Sequence, residues 1–388
     1  APLGLDQLDF VTAITRLHMS LDPGREIAGL RAPLAAVERQ AAPREARFAF
    51  DAAGQIYDAI FGDPRVADLI AAKDHWTIVP FGSALPIPYA ALVVDDLGGG
   101  GVRSAAEFRQ ARWLGQERAL TIVPSVAALR DLRRDREQTV PLGQLAYVGF
   151  GDPAFAGEVD APLATADGGR LRSGASRAAQ LSALPRLPGT RREVSTRAAL
   201  FGASGDTVAL GGDATEARLR AMAEDGTLSE ARILHFATHG LLSGAFSGLS
   251  EPALALTPNP ASMGPENDGL LTASEAARLD LNAEWVILSA CDTAGREGAL
   301  GDGLGALAQG FFAAGAQSLL LSHWRVDDRA AEVLTTATVA GAEDGRTKAE
   351  ALRDAMVQLA ADTTRDGTGL PNSHPSIWAP FVLIGQGL

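Results

Sequence analysis

The chain holds one cysteine, Cys291, among 388 residues that include six histidines. A thiolate becomes an effective nucleophile when an imidazole takes its proton or pairs with it as an ion. The imidazolium formed can then protonate a leaving amine. The histidine placed for that work is His239, which stands 52 residues before Cys291. Each follows a short apolar run that reads as a buried strand, 233–236 before His239 and 285–288 before Cys291. In open α/β sheets ligands gather outside the carboxyl ends of the strands. If the two strands are neighbours, the two side chains meet above that edge. Gly240 follows His239 and offers an unhindered backbone N–H, which with the N–H of Cys291 would form an oxyanion hole. A lone cysteine is often only a small buried hydrophobe, and a histidine before glycine is often a turn residue. The matched placement of the two is what points to a pair.

Positioning such a pair requires a sheet covered on both faces, and the patterning supplies one. Residues 1–72 read as helical, with apolar residues at three- and four-residue spacing in LDQLDFVTAITRLHMSL, REIAGLRAPLAAVERQ and AFDAAGQIYDAIFGDPRVADLIAA. Short β-branched runs at 77–79 and 119–123 read as strands, and LAYVGFGDP as another. Residues 151–188 are rich in Ala, Gly, Ser and Pro without sustained periodicity. They read as a surface loop or linker, either a plain connector or a processing loop. Beyond it strands alternate with helices: TRREVSTRAALFG, DTVALGGDATEARLRAMAE, ARILHFATHG, a helix capped by Thr272 or Ser274, AEWVILSACDT, GLGALAQGFFAAGAQ, SLLLSHWRV, two more helices and WAPFVLIG. That alternation implies a mostly parallel sheet. Residues 243–268 read as a loop over the site, either a mobile gate or a passive connector.

Composition narrows the chemistry. The net charge of -13 argues against nucleic acid as a partner, since phosphate binding needs clustered cations. The one basic cluster, Arg130–Arg136, is interleaved with acids and reads as a solvated helix face. No apolar run approaches the ~20 residues that span a bilayer, so no membrane association is expected. A single cysteine excludes an intrachain disulfide and thiolate-rich metal sites. It fits a reducing compartment, and a cytoplasmic location is expected. His235 and His239 lie four apart, but on a strand and its following turn, so they do not read as a metal pair. GDGLGALAQG invites a dinucleotide reading, yet it follows its strand by ten residues instead of opening the helix directly. No metal or organic cofactor is expected. The chain does not begin with Met and shows no signal peptide, and it reads as a fragment of a longer protein.

ILHFATHG, WVILSACDTAGREGALGDGLGALAQGFFAAGAQSLLLSHWRVDDRAA and the closing WAPFVLIG together resemble a CHAT domain. That is the caspase-like cysteine peptidase family often fused to tetratricopeptide repeats, more distantly similar to separases. LPRLPGTRREV, GGDATEARL, TIVPFGSALPIPYAAL and TIVPSVAALRDL resemble further family segments, so the likeness runs from roughly residue 75 to 388. The spacing of His239 and Cys291 is also close to the ~50 residues of caspases. The resemblance implies a caspase-like three-layer α/β/α sandwich with a mostly parallel sheet. It would be preceded by a helical segment (1–72) and a reduced, inactive caspase-like half (73–150). The linker (151–188) and the catalytic part (189–388) would follow.

The resemblance also puts the catalytic pair on His239 and Cys291, and gives His235 a structural place. Separases cut after Arg, using an acid beyond the strand that follows the catalytic cysteine. Here that neighbourhood offers Asp328 and Glu332, while Asp292 and Asp302 lie near the site by sequence. Asp327 is expected to cap the helix starting near Arg329. The reading that follows is a cysteine endopeptidase acting on a protein substrate, switched on by a partner or an upstream repeat or sensor domain. The alternative is a caspase-fold scaffold or signalling module whose catalytic residues stand idle, in which Cys291 would be an ordinary thiol.

Overall fold

Buried aliphatic runs set the architecture, and short capped helices connect them. The computed structural model describes residues 7–22, 48–95, 104–130, 144–157, 177–203, 205–245, 248–259, 264, 267–289, 302–324, 326–364 and 370–388. The chain divides into two compact units. One comprises residues 1–125, 323–383 and 387–388, the other 126–322 and 384–386.

The first unit opens with α1 (Gln7–Leu21), α2 (Phe50–Phe61), α3 (Pro64–Ile70), β1 (His75–Ile78), α4 (Ala105–Gln110), α5 (Leu114–Glu117) and β2 (Ala119–Ile122). The second carries β3 (Leu145–Gly151), α6 (Arg177–Ser182), α7 (Pro188–Leu200), β4 (Val208–Leu210), α8 (Glu216–Glu224), β5 (Ala231–Ala237), β6 (Gly240–Leu241), β7 (Ala253–Ala255), β8 (Leu270–Thr272), α9 (Ala273–Ala276), β9 (Trp285–Leu288), α10 (Asp302–Ala313) and β10 (Ser318–Ser322). The chain then returns to the first unit with α11 (Asp328–Glu343), α12 (Lys348–Ala361), α13 (Pro375–Trp378) and β11 (Phe381–Gly385), whose last two residues group with the second.

In the first unit the strand order is β1-β2-β11, with β1 and β2 parallel in the register His75↔Ala119 to Ile78↔Ile122. An aromatic cluster packs beside it. Phe48 meets Trp113 at 5.1 Å, Phe108 meets His374 at 4.8 Å and Trp113 meets Trp378 at 5.5 Å between ring centroids. Thr347 opens α12 with a reciprocal capping box to Glu350. Asp327 caps α11, its carboxylate accepting from the N–H groups of Arg329 and Ala330 at 3.0 and 3.1 Å, as expected.

In the second unit five strands run in the order β10-β9-β5-β3-β4, all parallel. Every residue of β9 and β10 is buried, and all of β5 except Arg232. Such continuous apolar runs are what a parallel sheet covered on both faces demands. The architecture is thus the expected mixed α/β one with mostly parallel strands. One glycine of β3 lets α7 come down onto the sheet, and another leaves room for the Tyr147 ring. A Cβ on Gly151 would stand 2.7 Å from Val194 Cγ2 of α7, and one on Gly149 would stand 2.6 Å from the Tyr147 hydroxyl.

Two stretches hold more regular structure than expected, and two expected parts are divided between the units. The stretch 151–188 is not wholly a connector: α6 and the start of α7 lie within it, and Gly157 bridges to Pro185 in parallel. Its larger apolar residues pack, with Phe155, Leu181 and Leu184 in one buried cluster. Residues 158–176, the centre of the expected processing loop, lie outside the described residues. The stretch 243–268 is not a plain loop either. It contains β7, the middle strand of an antiparallel β6-β7-β8 sheet. Finally, the 73–150 part is divided at residues 125 and 126, because β3 pairs with β4 and β5 while β1 and β2 belong to the other unit. The 189–388 part is divided too, at Ser322. The helix REIAGLRAPLAAVERQ falls outside the described residues.

Candidate active site

β5 and β9 are adjacent and parallel, with Phe236 paired to Leu288. The ladder extends one residue further through a 3.0 Å bond from Ser289 N–H to Phe236 O. His239 lies three residues beyond Phe236 in sequence, and Cys291 three beyond Leu288. Cys291 and Asp292 fall outside the described residues. In sequence the two thus stand equally far past a registered pair on neighbouring strands, whose carboxyl ends are where ligands gather in such sheets.

The backbone around His239 is held by the small sheet. Ala255 N–H donates to His239 O at 2.9 Å, and the Thr238 hydroxyl donates to Ala255 O. His239 is therefore opposite Ala255 as a hydrogen-bonded pair. Gly240, opposite Leu254, is the next residue along. In antiparallel ladders such pairs alternate with non-hydrogen-bonded ones. The Gly240 N–H consequently points away from β7, as an oxyanion donor would have to.

The His239 ring is buried, and its Nε2 lies 2.8 Å from the carbonyl oxygen of Pro185. A carbonyl only accepts, so Nε2 carries a proton. Phe155 covers the ring at 5.5 Å between centroids. The imidazole is thus fixed in tautomer and tilt by a main-chain atom and an aromatic face.

Below this edge, and missed by the sequence reading, is a buried polar group. Tyr147 of β3, His235 of β5, and Glu193 and Arg197 of α7 are each at most 3% exposed. Arg197 Nη1 donates to His235 Nδ1 over 2.9 Å, and the Tyr147 hydroxyl lies 2.7 Å from the same nitrogen. His235 Nε2 lies 3.3 Å from the same Arg197 nitrogen and faces Glu193 Oε1 at 3.1 Å. Arg197 Nη1 lies 3.8 Å from that oxygen. Burial and the Arg197 charge push the His235 pKa down to about 4, so the ring is neutral. Burial would raise the Glu193 pKa. The adjoining His235, the nearby Arg197 charge and the Ser289 hydroxyl outweigh that, and the carboxyl is held below its usual range. His235 is thus fully buried and held neutral among Tyr147, Arg197 and Glu193. The available signal was the four-residue spacing of Glu193 and Arg197, which shares a helix face with Val194 and Ala198.

Asp152, the first residue past β3, was also missed. Its φ of +47° is the only positive one among described non-glycine residues. Its N–H donates to the Thr190 hydroxyl at 2.8 Å, and its carboxylate accepts from Arg191 Nε at 2.7 Å. The Gly-Asp-Pro that ends the strand was the sequence signal. Among the expected substrate contacts, Asp302 begins α10 in the same unit as His239. Asp328 and Glu332 lie on α11 of the other unit, the first exposed and the second half-buried.

Comparison with known proteins gives three kinds of likeness. Tetratricopeptide repeat protein 28 of Mus musculus is 32% identical over 193 residues, 41% of this chain and 7% of that protein. Its counterpart of the same name in Homo sapiens is 32% identical over 192 residues, with the same shares. The chain therefore spans about 7% of the length of these curated relatives. Among solved structures, a separase–securin complex of Saccharomyces cerevisiae is similar at 14% identity and a TM-score of 0.41, over 100% of this chain and 23% of that one. The Arg-specific cysteine proteinase gingipain R is similar at 11% identity and a TM-score of 0.43, over 87% of this chain and 67% of that one. Scores of that size carry no argument about chemistry. The CHAT domain model matches residues 51–386. No helix among the described residues is long and apolar enough to cross a membrane. The match of the family model over nearly the whole length means that this chain belongs to the CHAT domain family.

Proposed function

We propose that the chain is a cysteine endopeptidase in which Cys291 is the nucleophile and His239 the general base and acid. The observation that carries this reading is the register. Adjacent parallel strands pair Phe236 with Leu288, and each leads three residues later to one member of the pair. His239 Nδ1 takes the Cys291 thiol proton, and the thiolate attacks the scissile carbonyl carbon. The oxyanion of the tetrahedral intermediate is received by the N–H groups of Gly240 and Cys291. Collapse expels the amine, which takes the proton from His239, and leaves a thioester on Cys291. A water deprotonated by His239 then hydrolyses the thioester and frees the thiol. Asp292 and Asp302 are the proposed contacts to a basic substrate side chain. The relatives named for tetratricopeptide repeats support an activating partner or upstream repeat region.

The test is incubation of the chain with a mixed peptide library beside Cys291→Ala. The expected result is cleavage by the parent alone, which also reveals the residue before the cut. An activity-based thiol probe should label Cys291 in the parent and not in His239→Ala. No cleavage, with equal labelling of both, would favour the idle scaffold.

A further inference from the structure

We propose that the first unit carries a ligand site of its own, a cavity beside β2 that takes a small aliphatic carboxylate. The cavity holds about 390 Å³ counting its open mouth, at the small end of the range for ligand sites. All of its lining residues belong to the first unit, so the proposal is independent of the peptidase reading. Leu120 and Ile122 of β2 and Phe381 and Leu383 of β11 line it from the sheet, and Leu352 and Met356 of α12 from the helix. β2 is an inner strand, between β1 and β11. Yet Leu120 and Ile122 are its less buried half, while Ala119 and Thr121 are fully covered. Apolar surface left part-open on an inner strand is surface that a hydrocarbon ligand can bury.

Two guanidinium groups line the same cavity, Arg118 just past α5 and Arg353 of α12. Among the described residues Arg118 makes no ion pair. Its Nη1 donates to Glu117 O at 3.2 Å and its Nη2 to Ala71 O at 3.4 Å, long bonds to neutral acceptors that leave most of its N–H donors unspent. Glu117, its chain neighbour, is turned to Arg112, whose Nε and Nη2 it meets at 2.5 and 2.9 Å. The Arg118 guanidinium also lies 5.8 Å from the Trp76 ring centroid, which holds it in place without neutralising it. Arg353 donates from Nε and Nη2 to Asp354 Oδ1 at 3.1 and 2.9 Å. Asp354 also serves Arg346 at 2.7 Å, so one carboxylate is shared by two cations. The lining thus holds two arginines and no acid, in a chain with 47 acidic residues against 34 basic ones. A guanidinium fork matches a carboxylate, and the aliphatic walls beside it match a short hydrocarbon body.

The experiment titrates the full chain with isocaproate by calorimetry, beside isocaproamide and acetate. The expected result is one saturable site for isocaproate. The amide lacks the charge and acetate lacks the hydrocarbon, and each should bind about tenfold or more weakly. Arg118→Met keeps the apolar stem without the charge and should weaken isocaproate by about tenfold or more. Arg118→Lys, which keeps the charge but not the fork, should recover part of that loss. Arg353→Met carries the same test if the unfolding temperature shows that Arg118→Met does not fold. The proposal falls if isocaproate does not bind, or if it binds both Met variants as tightly as the parent. If acetate binds as well as isocaproate, the cavity takes an adventitious ion only, and the proposal falls. If the amide binds as well, the arginines recognise nothing, and it falls again.

Discussion

Two glutamates of the same unit are almost equally hidden, Glu193 at 3% and Glu216 at 5% exposure, yet their acidities move in opposite directions. Glu193 meets Arg197, His235 and Ser289, and its carboxyl is held below its usual range despite burial. Glu216 sits at the start of α8. It accepts one N–H from Gly269 at 3.0 Å and lies 3.3 Å from Arg220, a partly exposed cation. Burial dominates there, the Glu275 and Asp268 charges add to it, and the pKa is pushed up to about 7. Burial sets the size of the penalty on a charge. The number and enclosure of the partners decide whether the charge survives.

The strongest way to break the contrast is to remove the enclosed cation. Arg197→Ala leaves Glu193 buried without its countercharge and should destabilise the chain by about 3–5 kcal/mol, read by denaturant unfolding. A loss below about 1 kcal/mol would mean that water reaches Glu193. Next is Glu216→Gln. A carboxyl whose folded pKa lies above its unfolded value stabilises the fold at low pH, and that contribution is lost as pH rises through about 7. The variant should therefore match the parent near pH 4 and exceed it above pH 7, by on the order of 1–2 kcal/mol. A constant offset at all pH values would show that Glu216 does not titrate in this way. His235 works in the other direction. Its folded pKa of about 4 lies below the unfolded value of 6.5, so its contribution is present above 6.5 and fades as pH falls towards 4. The smallest expected effect is Arg220→Ala, a partly exposed partner whose removal should change stability by about 0–1 kcal/mol. If it approaches the loss for Arg197→Ala, enclosure is not what separates the two sites.

The same contrast explains what could be read in the sequence. Strands such as 233–236, 285–288 and 318–322 were legible because burial on both faces leaves unbroken apolar runs. The cap at Asp327 and the placement of His239 just past its strand followed from local chemistry. Glu193 and Arg197 were not legible, because charged residues on a helix ordinarily face water, and only the fold shows that this pair turns inward. The β6-β7-β8 sheet was read as a loop because strands of two or three residues fall below any detectable alternation. Pro185 lay in a stretch without periodicity, and nothing in its type announced that its carbonyl would meet His239.

That carbonyl has a consequence for genetics. The group that orients the His239 ring belongs to the main chain, so every substitution at position 185 keeps it. A saturation scan of single-residue variants would therefore score the anchor of this imidazole as dispensable. Only a break in the backbone next to Pro185, or a change in the path the chain takes there, would reveal it.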